Sequence, residues 1–194
     1  MAEPGRNDAL ERLEIFTGEW ALEASFPADT PATAQEPPGP RREDGETGEV
    51  HSVFEWALEG RFLMQRTQVR VPGAPDSLAI VSVDPGTGAY TQHYFDSRGT
   101  VRLYSMTFAE GTWELLRDSP DFSPLDFSQR FTGTFSDDGD TIRGSWEKSF
   151  DGSIWEHDFH LTYRRVSQRA DVPRLGRRRR GKTPSAPAAA TRRP

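Results

Sequence analysis

Cysteine is absent from the 194-residue chain. A chain without thiols forms no disulfide, holds no zinc–thiolate site and offers no thiolate nucleophile. Long apolar runs are missing too, since no stretch approaches the roughly 20 apolar residues of a membrane-spanning helix. The first residues, MAEPGRNDALERLEIF, have neither the apolar run nor the small-residue cleavage site of a secretory signal peptide. We therefore expect a cytoplasmic protein with no membrane partner.

The motifs of several reaction classes are missing as well. The sequence contains no Gly-x-Ser-x-Gly, no phosphate-binding glycine loop and no His-Glu-x-x-His. Acidic pairs such as Asp137-Asp138 lie in predicted turns, and their spacing does not match a calcium loop. We therefore assign no catalytic residue and no metal ligand, and a non-enzymatic role is the favoured expectation.

Negative charge dominates the chain, but it is unevenly distributed. From Arg164 to the end the sequence carries ten Arg, one Lys and one Asp, a net charge of about +10, whereas the whole chain carries −6. The rest of the chain is thus strongly acidic, which argues against nucleic-acid binding by the folded part. We predict that 167–194 form a disordered basic tail. Its run Arg177–Arg180 leaves attraction to nucleic acid or an anionic membrane as an alternative.

Large apolar side chains are scarce in two segments of the chain. Hydrophobic residues make up 34% of the sequence, below the usual globular share. The shortfall lies in 27–47 and 166–194, which are rich in Pro, Gly, Ala or Arg. The five Trp and twelve Phe of the chain supply enough apolar surface for one core. We therefore predict one domain over 1–166 that contains a flexible loop at 27–47.

One short helix is predicted near the N-terminus. Asn7 or Asp8 can cap it, and Glu11 stands where a capping box needs a carboxylate. Its apolar side would consist of Leu10, Leu13 and Phe16. Such a helix either plugs one end of a barrel or lies on the surface.

From Gly18 onward, apolar and polar residues alternate as in strands with one buried face. The first strand covers 18–26, and nine more are predicted near 48–59, 61–71, 77–84, 88–97, 100–109, 111–118, 126–136, 140–150 and 153–165. Most connections are tight turns that carry glycine, such as Asp138-Gly139 and Asp151-Gly152. This order predicts an all-β, antiparallel up-and-down barrel of about ten strands, with a lumen for a small ligand. A two-sheet sandwich is the alternative, but only 27–47 and 119–125 are long enough for its crossings.

Two sequence features at the ends of this region resemble the lipocalins. Gly18-Glu19-Trp20 follows the helix directly, where lipocalins have Gly-x-Trp. Lipocalins also place an Arg after the last strand, packed across that Trp, and the last strand here ends in Tyr163-Arg164-Arg165. The resemblance implies a lipocalin-like, calycin-type barrel in which Gly18 and Trp20 are structural and either Arg164 or Arg165 stacks on Trp20.

Two further families show similarity to the chain. A bacterial family of uncharacterised function with this barrel is similar over about 10–166, in the segments FTGEW (16–20), LEGRF (58–62), VDPGTGAY (83–90), YFDSRG (94–99) and WEHDFHLTYRR (155–165). That resemblance implies a fold and not a function. Nitrobindins, which are more distant, hold haem in a ten-stranded barrel through a His near the C-terminus, and His157 and His160 stand in that region. Haem is thus the one cofactor that a resemblance suggests, and no other is expected.

Strand alternation predicts which polar side chains face the lumen. Polar residues share a face with aromatic ones on the last three strands, and one register of the third strand adds Arg66. The predicted ligand-binding residues are Arg66, Gln129, Lys148, His157, Phe127, Phe131, Trp146 and Phe159. His160, three residues after His157, is expected on the opposite face. The alternative is that these polar residues are hydrogen-bonded core residues or lie at the barrel mouth.

The leading functional hypothesis is a barrel that binds a small, mostly apolar ligand in its lumen. A haem barrel of the nitrobindin kind, acting on reactive nitrogen species, is the first alternative. A cyclase or isomerase that uses the barrel as a dry pocket is the second, and a structural or interaction role is the third.

Overall fold

The computed structural model describes residues 8–27, 50–71 and 73–166. The predicted tail 167–194, Asn7 and nearly all of the predicted loop 27–47 lie outside these residues. The predictions made for those segments therefore stay predictions.

Ten antiparallel strands form one closed barrel in the described part of the chain. Each strand pairs with the next one along the sequence, and the first pairs with the last. The strands are β1 Gly18–Ser25, β2 Val50–Ala57, β3 Phe62–Val69, β4 Ser77–Val83, β5 Tyr90–Asp96, β6 Val101–Ala109, β7 Thr112–Arg117, β8 Ser128–Phe135, β9 Thr141–Ser149 and β10 Glu156–Arg165. The predicted all-β up-and-down barrel is confirmed, and the sandwich alternative is wrong.

A short helix plugs one end of this barrel. It comprises α1, Asp8–Arg12, and a 3-10 turn, Leu13–Phe16. Leu13 and Phe16 are almost fully buried. The Phe16 ring lies within 4.9–5.6 Å, between ring centroids, of the rings of Phe54, Phe108, Trp113 and Phe135. Of the two predicted positions of the helix, the one that plugs the barrel is therefore correct, and this end of the barrel is closed.

The Gly-x-Trp segment holds the plug to the strands. Gly18 has a φ of +120°, a conformation that side chains disfavour, where the chain turns from the helix into β1. Trp20 is fully buried, and its Nε1 donates to the Phe16 carbonyl at 2.8 Å. The Arg165 guanidinium lies 4.1 Å from the centre of the Trp20 ring. Arg165 is thus the stacking residue, whereas Arg164 points to solvent.

Arg165 also ties three segments of the closed end together. Its guanidinium donates hydrogen bonds of 2.6–3.0 Å to the carbonyls of Ile15, Thr17 and Gly139 and to the Asp140 carboxylate. Backbone carbonyls at a helix end and in a turn have no strand partner, so a buried guanidinium satisfies them.

One irregularity interrupts the pairing of β10 with β9. The register shifts between His157 and Phe159, as in a β-bulge. The extra residue reverses the alternation at that point, so Asp158 and Phe159 both contribute to the cavity wall while His157 lies outside.

Candidate ligand-binding cavity

The end of the barrel opposite the helix contains a cavity of about 730 Å³. Its mouth lies among the strand ends that carry Phe26 and Phe150, two aromatic residues that are partly or largely exposed. Most of the wall is apolar, and its apolar side chains include Leu22, Leu115, Phe127, Phe131, Trp146, Phe159 and Leu161. The side chains of the described residues therefore do not fill the lumen.

Trp113 separates the cavity from the plugged end. It packs on Phe16, with ring centroids 5.2 Å apart, and also lines the cavity. Its Nε1 is buried and has no hydrogen-bond partner among the atoms that the structure describes. A buried indole N–H without an acceptor is costly.

A glycine pair beside Trp113 makes room for the Phe131 ring. Gly133 on β8 lies opposite Gly144 on β9. A Cβ atom on Gly144 would lie 2.3 Å from the Phe131 ring, and one on Gly133 would lie 2.7 Å from it. The ring can therefore lie flat against the strands only because both positions lack a side chain, and this leaves the space in front of it open.

Neutral polar side chains form one part of the wall. Gln65 and Thr67 line the cavity, and both hydrogen bond to the buried Ser52, Thr67 Oγ1 at 3.0 Å from Ser52 Oγ and Gln65 Nε2 donating to it at 3.1 Å. Burial raises the pKa of Tyr163 to about 12, although its hydrogen bond with Gln65 acts in the opposite direction. Burial likewise raises the pKa of Tyr94 to about 12. These phenols therefore stay protonated near neutral pH and act as hydrogen-bonding groups rather than as bases.

A second polar group joins β6 to β8. The Gln129 Oε1 atom accepts hydrogen bonds from Arg102 Nη1 at 2.8 Å and from Tyr104 Oη at 2.7 Å. The Arg102 guanidinium also lies 5.4 Å from the centre of the Phe127 ring. Tyr104 is almost fully buried, and burial raises its pKa. All four side chains line the cavity.

An ion pair occupies the wall beside β10. Lys148 Nζ lies 3.3 Å from Asp158 Oδ1, and the Asp158 side chain is almost fully buried. The bulge between His157 and Phe159 turns this carboxylate inward. Because the two charges are opposite, they largely cancel within this part of the wall.

The rim is held by a second, more deeply buried ion pair. Arg117 donates to both carboxylate oxygens of Asp121, at 2.7 and 3.0 Å, and the Leu103 backbone N–H donates to the same carboxylate at 2.9 Å. The hydrogen bond from Arg117 holds the pKa of Asp121 well below its usual range. This pair fixes the connection from β7 to β8, which carries Phe127 to the cavity.

The structure brings six of the eight predicted ligand-binding residues to this cavity. They are Phe127, Gln129, Phe131, Trp146, Lys148 and Phe159. Their role in ligand binding remains a prediction.

The predicted inward position of Arg66 is wrong. Leu63 and Thr67 are the buried residues of β3, so Arg66 and Met64 point outward. Phe62 and Met64 lie on this outer face, and because they are apolar the sequence pattern wrongly predicted that this face points into the barrel. The inner face of β3 is instead partly polar, because Gln65 and Thr67 bond to the neighbouring strand.

The predicted inward position of His157 is also wrong. His157 and His160 both lie on the outer surface, with ring centroids 4.1 Å apart, because the bulge adds one residue between them. Trp155 also packs on the outside, where the Arg130 guanidinium lies 4.3 Å from the centre of its ring.

All four histidines of the chain lie within the described residues, and none lines the cavity. The haem alternative therefore lacks the histidine that it required inside the barrel. Across 8–27, 50–71 and 73–166, no three His, Asp or Glu side chains cluster in a way that could hold a metal ion. No helix in these ranges is both long and apolar enough to cross a membrane.

Arg102, Tyr104 and Asp158 are among the cavity residues that were not predicted from the sequence. Arg102 and Tyr104 share the parity of Met106 on β6, so the alternation that identified Gln129 could have identified them too. Asp158 had no such signal, because a bulge is not visible in the period of the sequence.

The described residues define an antiparallel ten-stranded barrel that a helix closes at one end and that none of these residues closes at the other. Neither a protein-family model nor a curated protein matches the sequence. Among solved structures, the chain is similar to the crystal structure of Rv2717c from M. tuberculosis, with a TM-score of 0.51 and 14% sequence identity. The similarity covers 82% of this chain and 98% of that chain. At this identity the likeness shows the barrel fold alone.

Proposed function

We propose that this protein binds a small, mostly apolar molecule inside the barrel. The observation that carries the proposal is the open, aromatic-walled cavity of about 730 Å³. Ligand pockets commonly measure about 300–1,000 Å³ and combine an apolar wall with a few placed polar groups. The cavity has both features.

The polar groups of the wall determine how a ligand would be oriented. Tyr94 and Tyr163 keep their protons near neutral pH because burial raises the pKa of each to about 12. A ligand with oxygen acceptors would meet these hydrogen-bonding groups, while its apolar body would lie on Phe131 and Trp146. For a ligand of roughly 20 heavy atoms, about 0.3 kcal/mol per atom gives a dissociation constant in the range of tens of micromolar.

Binding is tested with the neutral hydrophobic dye N-phenyl-1-naphthylamine, whose fluorescence rises in apolar surroundings. We compare wild type with Ala79→Phe, which adds a ring at a buried position of the cavity wall. Ala21→Phe is the matched control, because Ala21 alternates with the inward-facing Trp20 and Leu22 and lies on the outer face. Circular dichroism melting checks that each variant folds.

We expect saturable binding to wild type and to Ala21→Phe, and at least tenfold weaker binding to Ala79→Phe. Equal binding to all three proteins would mean that the dye lies elsewhere. The dye has about 17 heavy atoms, for which about 0.3 kcal/mol per atom gives a dissociation constant of about 200 μM. No binding to folded wild type at up to about 1 mM protein would therefore refute the proposal.

A further inference from the structure

We propose that Arg102 is the anion-binding residue of the cavity and that the physiological ligand carries a carboxylate or a similar acidic group. This inference rests on the proposed function and specifies the chemical class of its ligand. It follows from the distribution of charge around the cavity.

The other cationic side chains of the cavity wall have carboxylate partners. Arg98 pairs with Asp96 at 2.6 Å, and Lys148 pairs with Asp158 at 3.3 Å. Arg102 forms no ion pair with any carboxylate in the described part of the chain. Asp126 also contributes to the wall, but it is exposed and does not reach ion-pair distance of Arg102.

The hydrogen bonds of Arg102 leave most of its donors available. A guanidinium has five N–H donors in a planar fork. One donates to Gln129 Oε1, and that oxygen is also taken by Tyr104 Oη. This shared contact holds the guanidinium in place while its remaining donors have no acceptor within 8–27, 50–71 and 73–166. The fork matches the two oxygens of a carboxylate.

The position of Arg102 also sets the direction of the ligand. It lies near the start of β6, in the half of the barrel that opens to solvent. Arg102 contacts Gln129 on β8. Phe131 lies on the same strand, and Trp146 lies opposite Phe131 on β9. An acid bound at Arg102 would therefore place its apolar body on these rings. A half-buried cation beside aromatic rings is poorly solvated, so an anion that replaces water there gains more than it would at an exposed site.

The test compares cis-parinaric acid with its methyl ester, because the two probes share one apolar body and differ in charge. Arg102→Met removes the guanidinium and keeps most of the side-chain volume. Arg66→Met is the matched control, since Arg66 lies on the outer face. The double variant Lys148→Met/Asp158→Asn removes the ion pair between these two side chains without changing the net charge of the wall.

We expect wild type and Arg66→Met to bind the acid more tightly than the ester. In Arg102→Met the affinity for the acid should fall on the order of 10- to 100-fold, to the level of the ester, while ester affinity stays within about twofold. Arg102→Lys should restore part of the preference, because it keeps the charge and loses the fork. The Lys148/Asp158 double variant should keep the preference.

Three results would overturn this inference. Wild type could bind acid and ester equally, Arg102→Met could weaken both probes alike, or the preference could disappear in the Lys148/Asp158 variant and not in Arg102→Met. In each of these cases ester binding would leave the proposed function standing. Failure of both probes to bind folded wild type would refute the proposed function and this inference together.

Discussion

Replacing Arg165 should destabilise the barrel far more than replacing its neighbour Arg164. The Arg165 side chain is 5% exposed and makes its hydrogen bonds at the closed end, whereas Arg164 points to solvent. Arg165→Met and Arg164→Met are therefore a matched pair that differs in one position along the strand.

The magnitude follows from the groups that Arg165 contacts. Its loss leaves the carbonyls of Ile15, Thr17 and Gly139 without their donor, at about 1 kcal/mol each. The contact with Trp20 adds about 1 kcal/mol. The pair with Asp140 adds little, since that carboxylate is 51% exposed. We expect a loss of about 3–4 kcal/mol for Arg165→Met and of less than about 0.5 kcal/mol for Arg164→Met.

Urea unfolding at neutral pH, followed by circular dichroism, measures both changes. Domains of this kind unfold with about 5–15 kcal/mol, so a loss of this size is readily detected. A double variant with Trp20→Leu, which removes the aromatic face, would measure the coupling between the two side chains through a mutant cycle. If Arg165→Met unfolds at the same urea concentration as Arg164→Met, the contacts of Arg165 at the closed end contribute no stability.

Three further changes probe the rest of the molecule. Trp20→Ala should cost about 3–5 kcal/mol in urea unfolding, because a fully buried indole leaves a cavity, and a loss below about 1 kcal/mol would contradict its role. Asp121→Asn should cost about 3 kcal/mol at pH 7, because it leaves Arg117 buried without its counter-charge. Because the folded-state pKa of Asp121 is lowered, its contribution to the free energy of unfolding is complete above about pH 4 and is lost as the pH falls through that lowered value. The stabilities of wild type and Asp121→Asn should therefore converge in acid. A constant difference in stability between about pH 7 and about pH 2.5 would contradict this. Gly144→Ala should cost about 1–3 kcal/mol and reduce dye binding, because its methyl group displaces the Phe131 ring into the cavity, and unchanged stability and binding would show that the ring has room to move.

Local patterns in the sequence were sufficient to predict the barrel itself. The alternation from Gly18 onward and the glycine turns between strands predicted ten strands, and all ten are present within three residues of their expected ends. The helix could also be predicted, because Leu10, Leu13 and Phe16 repeat at helical spacing. These patterns involve residues that are close along the chain, so they can be identified from one sequence.

Alternation was also enough to place Gln129, Lys148 and their aromatic neighbours at the cavity. It failed on β3, where both faces contain apolar and polar residues. There the register was decided by partners on β2, since Ser52 and Thr67 hydrogen bond across the strands. A pattern within one strand does not contain that information.

The sequence by itself thus determined the order of the elements and the parity of the regular strands. Only the tertiary structure decided which charges face the cavity. A single bulge placed Asp158 rather than His157 in the cavity wall, where its carboxylate pairs with Lys148. The hydrogen bond to Gln129 holds Arg102 in the cavity. The physical reason is that secondary structure depends on neighbours along the chain, whereas the charge balance of a cavity depends on side chains that come together only when distant strands pair.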